Sequence, residues 1–200
     1  MVSAAVLAAC ASESPRTAAD SQAAHVAAVA AAGGTVDSIL PIAEQLRRFR
    51  ESLPAPDSLR HGAMSRDGLI RQFLEAVAAK DSATLNQLVL DRAEFAYLYY
   101  PTAAISKPPY EAPPQLLWGQ ILTASNEGIS RLLTRVNGQR LALDSVTCGQ
   151  PVTVEDRNTL YEKCEIRVRI GTAAPSTERW FGTIVERDGR FKFIGYTNAL

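Results

Sequence analysis

The chain has 200 residues, 46% of them hydrophobic, and its 21 Lys and Arg balance 21 Asp and Glu for a formal charge of zero. That hydrophobic content is globular and excludes a disordered chain. Without a basic excess to neutralise phosphates, nucleic acid is set aside as a partner. No run of apolar residues reaches the roughly 18 that a membrane span needs, so no transmembrane helix is expected.

Val2 to Ala9 is a short apolar stretch that ends in Leu7-Ala8-Ala9-Cys10. This tetrapeptide resembles the lipobox of bacterial lipoproteins, in which the cysteine thiol is lipidated and becomes the new amino terminus. The resemblance implies a signal peptide and lipobox over residues 1–10, a lipid anchor at Cys10 and the membrane as a partner. It also implies an extracytoplasmic place in a bacterial envelope, and Ala11-Ser12, with no aspartate beside the cysteine, points to the outer membrane. No Lys or Arg precedes the apolar run, as a signal peptide requires, so a start codon further upstream is expected. The other reading of Cys10 is an ordinary cysteine in a cytosolic start. Cys148 and Cys164, the remaining two of three cysteines, lie in a stretch that reads as β-sheet. As an even pair in an oxidising compartment they are expected to form a disulfide.

Residues 11–36 are dominated by Ala, Ser and Thr. Such a segment buries too little surface to offset its ordering entropy, and a mobile tether is expected. The alternative is a transient helix over Ala23 to Ala32, since alanine has the highest helix propensity.

A single domain over 37–200 follows, with a leading helix in 37–56 and a core in 65–200. Asp37 to Leu53 reads as an amphipathic helix, with Pro41 in its first turn and Ile42, Leu46, Phe49 and Leu53 at helical spacing. Leu53-Pro54-Ala55-Pro56 ends it. Arg47, Arg48 and Arg50 read as a solvated face among Glu44 and Glu51, with anionic lipid headgroups as the alternative. Ser65 is a good N-cap with Asp67 in the first turn, and Leu69, Ile70, Phe73, Leu74 and Val77 form an apolar stripe. Asp81 restarts a helix presenting Leu85, Leu88 and Val89. The aromatic alternation from Glu94 to Pro101 suits a short strand or extended edge.

Four prolines make Thr102 to Pro114 a loop. Gln115 to about Val136 reads as a helix, kinked or divided at Gly128 and closed by Asn137-Gly138. The period then changes to two. Gln139 to Cys148 alternates weakly, whereas Leu160 to Ile170 alternates clearly. Glu178 to Arg187 and Arg190 to Asn198 flank Asp188-Gly189, a strong hairpin signal that pairs Ile184 with Phe193 and Val185 with Lys192. Phe181 would then pair with Tyr196. Gly182 and Gly195 fall opposite each other, and a bend or bulge is expected there.

Helices followed by antiparallel strands predict an α+β fold, with helices packed on a curved antiparallel sheet. The order helix, helix, short strand, helix and then a strand meander, together with Trp180-Phe181-Gly182 and Asp188-Gly189-Arg190-Phe191-Lys192-Phe193, resembles the nuclear transport factor two-like fold. Ketosteroid isomerases, polyketide cyclases and limonene epoxide hydrolases share it. The resemblance covers roughly Ser65 to Leu200 and implies a cone-shaped domain, a general base inside the cone and pairing of two copies through the sheet face.

His25 lies in the tether and His61 in a polar loop, which argues against a histidine base. There is no His-Cys-Asp-Glu cluster with metal-ligand spacing and no Gly-rich phosphate loop, so no metal or cofactor is implied. Two carboxylates are candidates. Glu94, among Phe95, Tyr97, Tyr99 and Tyr100, acts as acid or base if burial raises its pKa; Asp144 is the second. The plain alternatives are a helix-terminal glutamate in a surface ion pair and an edge-strand aspartate in solvent. Tyr97, Tyr99, Tyr100, Tyr110, Trp118, Trp180 and Tyr196 either build the core or line a pocket for an apolar ligand.

The expected ligand-binding residues are Glu94, Tyr97, Tyr100, Trp118 and Tyr196, converging on a cavity between helices and sheet; no catalytic residue is assigned. The favoured function is a lipid-anchored envelope protein that binds a small apolar ligand or a protein partner without catalysis. A small isomerase, dehydratase or cyclase using Glu94 or Asp144 is the first alternative, and a structural homodimer or interaction module the second.

Overall fold

The computed structural model describes residues 18–33 and 40–198. Cys10 and the signal-peptide reading of residues 1–10 lie outside them, as do residues 11–17 and 34–36 of the expected tether. The chain divides between Leu40 and Pro41. On the amino-terminal side, in the segment expected to be a mobile tether, Ala18–Ala31 forms a helix, α1. It is longer than the alternative helix over Ala23 to Ala32 and built largely of alanine, which loses no side-chain entropy on becoming helical.

Beyond Leu40 the helices are α2 (Ile42–Phe49), α3 (Arg66–Ala79), α4 (Ser82–Leu88), the single turn α5 (Arg92–Glu94) and α6 (Pro114–Val136). Their ends follow local chemistry. Ser65 Oγ accepts the Gly68 N–H at 3.0 Å, and Asp81 Oδ1 accepts the Thr84 N–H at 3.0 Å. Asn137 and Gly138 both adopt the left-handed conformation that closes α6. α2 is shorter than the helix expected up to Leu53; its end at Phe49 leaves Arg50 to Leu53 as a turn ahead of Pro54.

Two expectations are corrected here. Glu94 to Pro101 is helical, not a strand: α5 runs into a π-helical turn, Phe95–Tyr99. Asp91 starts it with a reciprocal capping box, its carboxylate accepting the Glu94 N–H while Glu94 accepts the Asp91 N–H. The Tyr100 N–H donates to Phe95 O, five residues back. Pro101 has no N–H for Ala96 O, which instead accepts Nε and Nη2 of Arg50 at 3.1 and 2.9 Å. The second correction concerns α6, which runs unbroken through Gly128. A Cβ on that residue would lie 1.9 Å from Tyr196 O, so glycine is there to let the last strand's continuation cross the helix.

The strands are β1 (Leu141–Thr147), β2 (Thr153–Glu155), β3 (Asn158–Tyr161), β4 (Glu165–Ile170), β5 (Ser176–Glu178), β6 (Ile184–Arg187) and β7 (Arg190–Phe193). All pair antiparallel, in two ladders, β1-β4-β5 and β2-β3-β6-β7. The fold is α+β. The long strands expected at Leu160–Ile170 and Glu178–Arg187 each break in the middle, which is why there are two ladders. The first break contains Lys163, at φ 50°, and Cys164, bonded to Cys148 in a disulfide. The second runs from Arg179 to Thr183, where the Gly182 N–H donates to Gly195 O, the glycine pair at which a bend is expected. The Asp188-Gly189 hairpin has the anticipated register, Ile184 with Phe193 and Val185 with Lys192, and both turn residues are left-handed.

α3 packs against α4, α6, β1 and β7. The main core joins Leu69, Phe73 and Val77 of α3 to Leu132 and Val136 of α6 and to Ile166, Val168, Ile184 and Phe193 of the strands. The opposite face of the β2-β3-β6-β7 ladder is also covered, with Leu160 and Val185 under Leu59, Leu90 and Leu98. A third cluster docks Phe49 of α2 on Phe95, Ala96 and Tyr100.

Candidate ligand-binding cleft

α6 carries more apolar residues than one packing partner can cover. Leu132 and Val136 enter the core, but Trp118, Ile121, Ile129 and Leu133 remain half-buried and Leu122 is exposed. A helix whose apolar stripe is wider than its buried contact leaves the remainder for something else. Across from this face runs α4 with Leu85, and Val89 and Leu90 follow it. Between them lies a cleft of about 100 Å³, floored by Ile194 and Tyr196 and edged by the polar side chains of Ser82, Asn86, Ser125 and Asn126.

The floor is rigidly held. Tyr196 hydroxyl donates to Leu85 O at 2.7 Å, its N–H donates to Ser125 Oγ at 3.0 Å, and its ring stacks on Phe73 with centroids 5.3 Å apart. Burial pushes the Tyr196 phenol up from its ordinary value, so it stays a neutral donor. The Trp118 ring tilts against Phe95 at 5.2 Å and forms one end of the cleft.

Trp118 and Tyr196 are thus together, while Glu94, Tyr97 and Tyr100 lie elsewhere. Glu94 is fully buried and accepts three hydrogen bonds: Arg60 N–H at 2.6 Å on Oε1, and Asp91 N–H at 2.9 Å and Lys192 Nζ at 2.7 Å on Oε2. A carboxylate so engaged has its charge and lone pairs satisfied and holds the π-helical segment to β7. Tyr100 is buried and donates to Ala112 O at 2.6 Å. Tyr97 lies beneath the Arg50 guanidinium, 4.4 Å from the ring centroid. Tyr99 packs beside Phe95, and burial, reinforced by Glu155 and Glu162, pushes its phenol up to about 12.

Asp144 occupies the extra position of a bulge in β1 and faces solvent, 3.8 Å from Arg167. Trp180 is core, its indole donating to Glu178 at 3.2 Å, and Tyr110 is exposed. Leu85, Ser125 and Ile194 also belong to the cleft; the over-wide apolar surface of α6 points to the face beside Ser125, whereas nothing in the local sequence marks Leu85 or Ile194. Among the described residues no group of three or more His, Cys, Asp or Glu side chains is placed to hold a metal ion, and no helix is long and apolar enough to cross a membrane. Comparison with protein-family models, curated proteins and solved structures finds no match to this chain.

Proposed function

We propose that this protein binds a small apolar ligand in the α4–α6 cleft without catalysing a reaction, and that it does so on the extracytoplasmic side of a bacterial envelope, tethered by lipid at Cys10 to the outer membrane. The observation that carries the binding reading is the cleft itself: apolar side chains of α4, α6 and the β7 extension left uncovered over a floor held by Tyr196. The Leu7-Ala8-Ala9-Cys10 motif supports the anchor, and the Cys148–Cys164 disulfide suits an oxidising compartment. The enzymatic alternative has less support, because Glu94 is paired with Lys192 and Asp144 faces solvent. The outward face of β4 carries Arg167 and Arg169, a charged surface that does not favour pairing of two copies through it.

Calorimetric titration of the purified chain with neutral, ring-sized probes tests the binding reading. Wild-type protein is expected to bind at least one of them. Trp118→Ala should abolish that binding while lowering stability by less than the roughly 3–5 kcal/mol of a fully buried tryptophan, since Trp118 is only half-buried. Failure of every neutral probe, or unchanged binding by Trp118→Ala, would sink it. For the anchor, Cys10→Ser should release the protein from membranes of its host; unchanged fractionation removes that part.

A further inference from the structure

We infer that the cleft selects uncharged, ring-sized ligands that carry a hydrogen-bond acceptor, with the Ser125 hydroxyl as the donor that reads it. This rests on the α4–α6 cleft being a binding site and names what it takes.

Three observations converge. The first is charge: none of the fourteen residues lining the cleft is Asp, Glu, Lys, Arg or His, in a chain where 21% of residues are charged. An ion entering would lose hydration and meet no counter-charge among the lining side chains. The second is size. A closed cavity of about 150 Å³ lined by apolar side chains accepts benzene. At about 100 Å³ this cleft holds less, and it is limited to one ring or a chain of comparable bulk whose remainder extends through the open side to the polar rim.

The third is Ser125. It is 7% exposed and its oxygen accepts the Tyr196 N–H. A serine hydroxyl also carries one proton to donate, and among the described residues that proton has no acceptor. The comparison on the same helix is Thr134, whose hydroxyl donates back to Ser130 O at 2.9 Å, the usual resting place for such a group. Tyr196 cannot substitute, because its hydroxyl proton is committed to Leu85 O. The other polar side chains of the lining, Ser82, Asn86 and Asn126, are exposed at the rim. The uncommitted proton of the buried Ser125 hydroxyl is therefore the donor that favours a ligand supplying a carbonyl or ether oxygen there.

Three probes of similar bulk separate the terms: ethylbenzene, neutral without an acceptor; acetophenone, neutral with one; and benzoate, an anion. Calorimetry on the full chain is expected to give acetophenone a Kd about three- to tenfold below that of ethylbenzene. Benzoate should bind on the order of a hundredfold more weakly than acetophenone. Ser125→Ala should bring the acetophenone and ethylbenzene Kd values within about twofold of each other, with any loosening of the Tyr196 floor weakening both probes alike. The inference is overturned if ethylbenzene binds as well as acetophenone, if benzoate matches acetophenone, or if Ser125→Ala keeps the wild-type preference. Should Ser125→Ala fail to fold, having also lost the acceptor for Tyr196 N–H, the wild-type order of the three probes decides. Binding of ethylbenzene without any acetophenone advantage defeats only this inference, whereas binding of no neutral probe defeats the cleft reading beneath it.

Discussion

Lys192 Nζ lies 2.7 Å from Glu94 Oε2, the lysine side chain 3% exposed and the glutamate wholly buried. The pair ties the π-helical segment to the face of β7 opposite Phe193. Removing one partner leaves a buried charge without its counter-ion, so Lys192→Met should cost about 3–5 kcal/mol in urea unfolding. The double variant Glu94→Gln with Lys192→Met should be more stable than Lys192→Met alone, because the stranded charge is gone. A single-variant loss below about 1 kcal/mol would mean that the pair is not holding this layer.

The Cys148–Cys164 disulfide spans 16 positions and fastens the break between β3 and β4 to the end of β1. A cross-link over that length restricts the unfolded chain by about 3 kcal/mol in the loop-entropy account. The double serine variant should lose that amount in equilibrium denaturation, and the unreduced, unfolded wild type should not label at either cysteine.

Gly128→Ala and Gly119→Ala form a matched pair on α6. At Gly128 the new methyl meets the Tyr196 backbone, a contact that only movement of the main chain can relieve. A loss of about 1–3 kcal/mol or more is expected, with weaker probe binding because the cleft floor shifts. At Gly119 a Cβ meets nothing within 4 Å, and replacing an exposed helical glycine should stabilise by up to about 1 kcal/mol. Opposite signs in thermal melts are the expected result.

Asp81 caps α4, one wall of the cleft, and hydrogen bonds from the Thr84 hydroxyl and N–H hold its carboxyl below the ordinary aspartate value. A folded-state pKa below the unfolded one means that the unfolded chain takes up the proton first as pH falls. The stabilisation is therefore present above about pH 4 and is lost on acidification through the folded value. Arg47 and Arg48 hold Glu44 at about 2, which adds to the same acid limb. Asp81→Asn keeps a capping side chain that does not titrate. Its melting temperature should fall less than that of wild type between about pH 5 and pH 2, and equal slopes would refute the assignment.

Where local chemistry decides, the sequence was sufficient. Ser65 and Asp81 start helices because their oxygens reach a free N–H three residues on, and Asn137-Gly138 and Asp188-Gly189 turn the chain because those residues tolerate positive φ. The cysteine pair and the β6–β7 register were equally readable. The segment after Asp91 misled because its aromatic alternation suggests a strand. The Asp91-x-x-Glu94 capping box starts a helix locally, and docking of Phe95 and Tyr100 on Phe49 holds it there.

Tertiary structure alone decided what lies on each surface. Period-two alternation puts Lys192 on the polar face of its strand, opposite Phe191 and Phe193. Residues 91–102 then fold over that face, so Glu94 reaches Lys192, and Leu98 O and Thr102 Oγ1 accept from Asn158, whose side-chain oxygen takes Arg187. The cleft has the same origin, joining α4, α6 and Tyr196 from places more than a hundred residues apart in part. Alternation and capping are set by neighbours within a few residues, whereas burial depends on which distant segment arrives to exclude water.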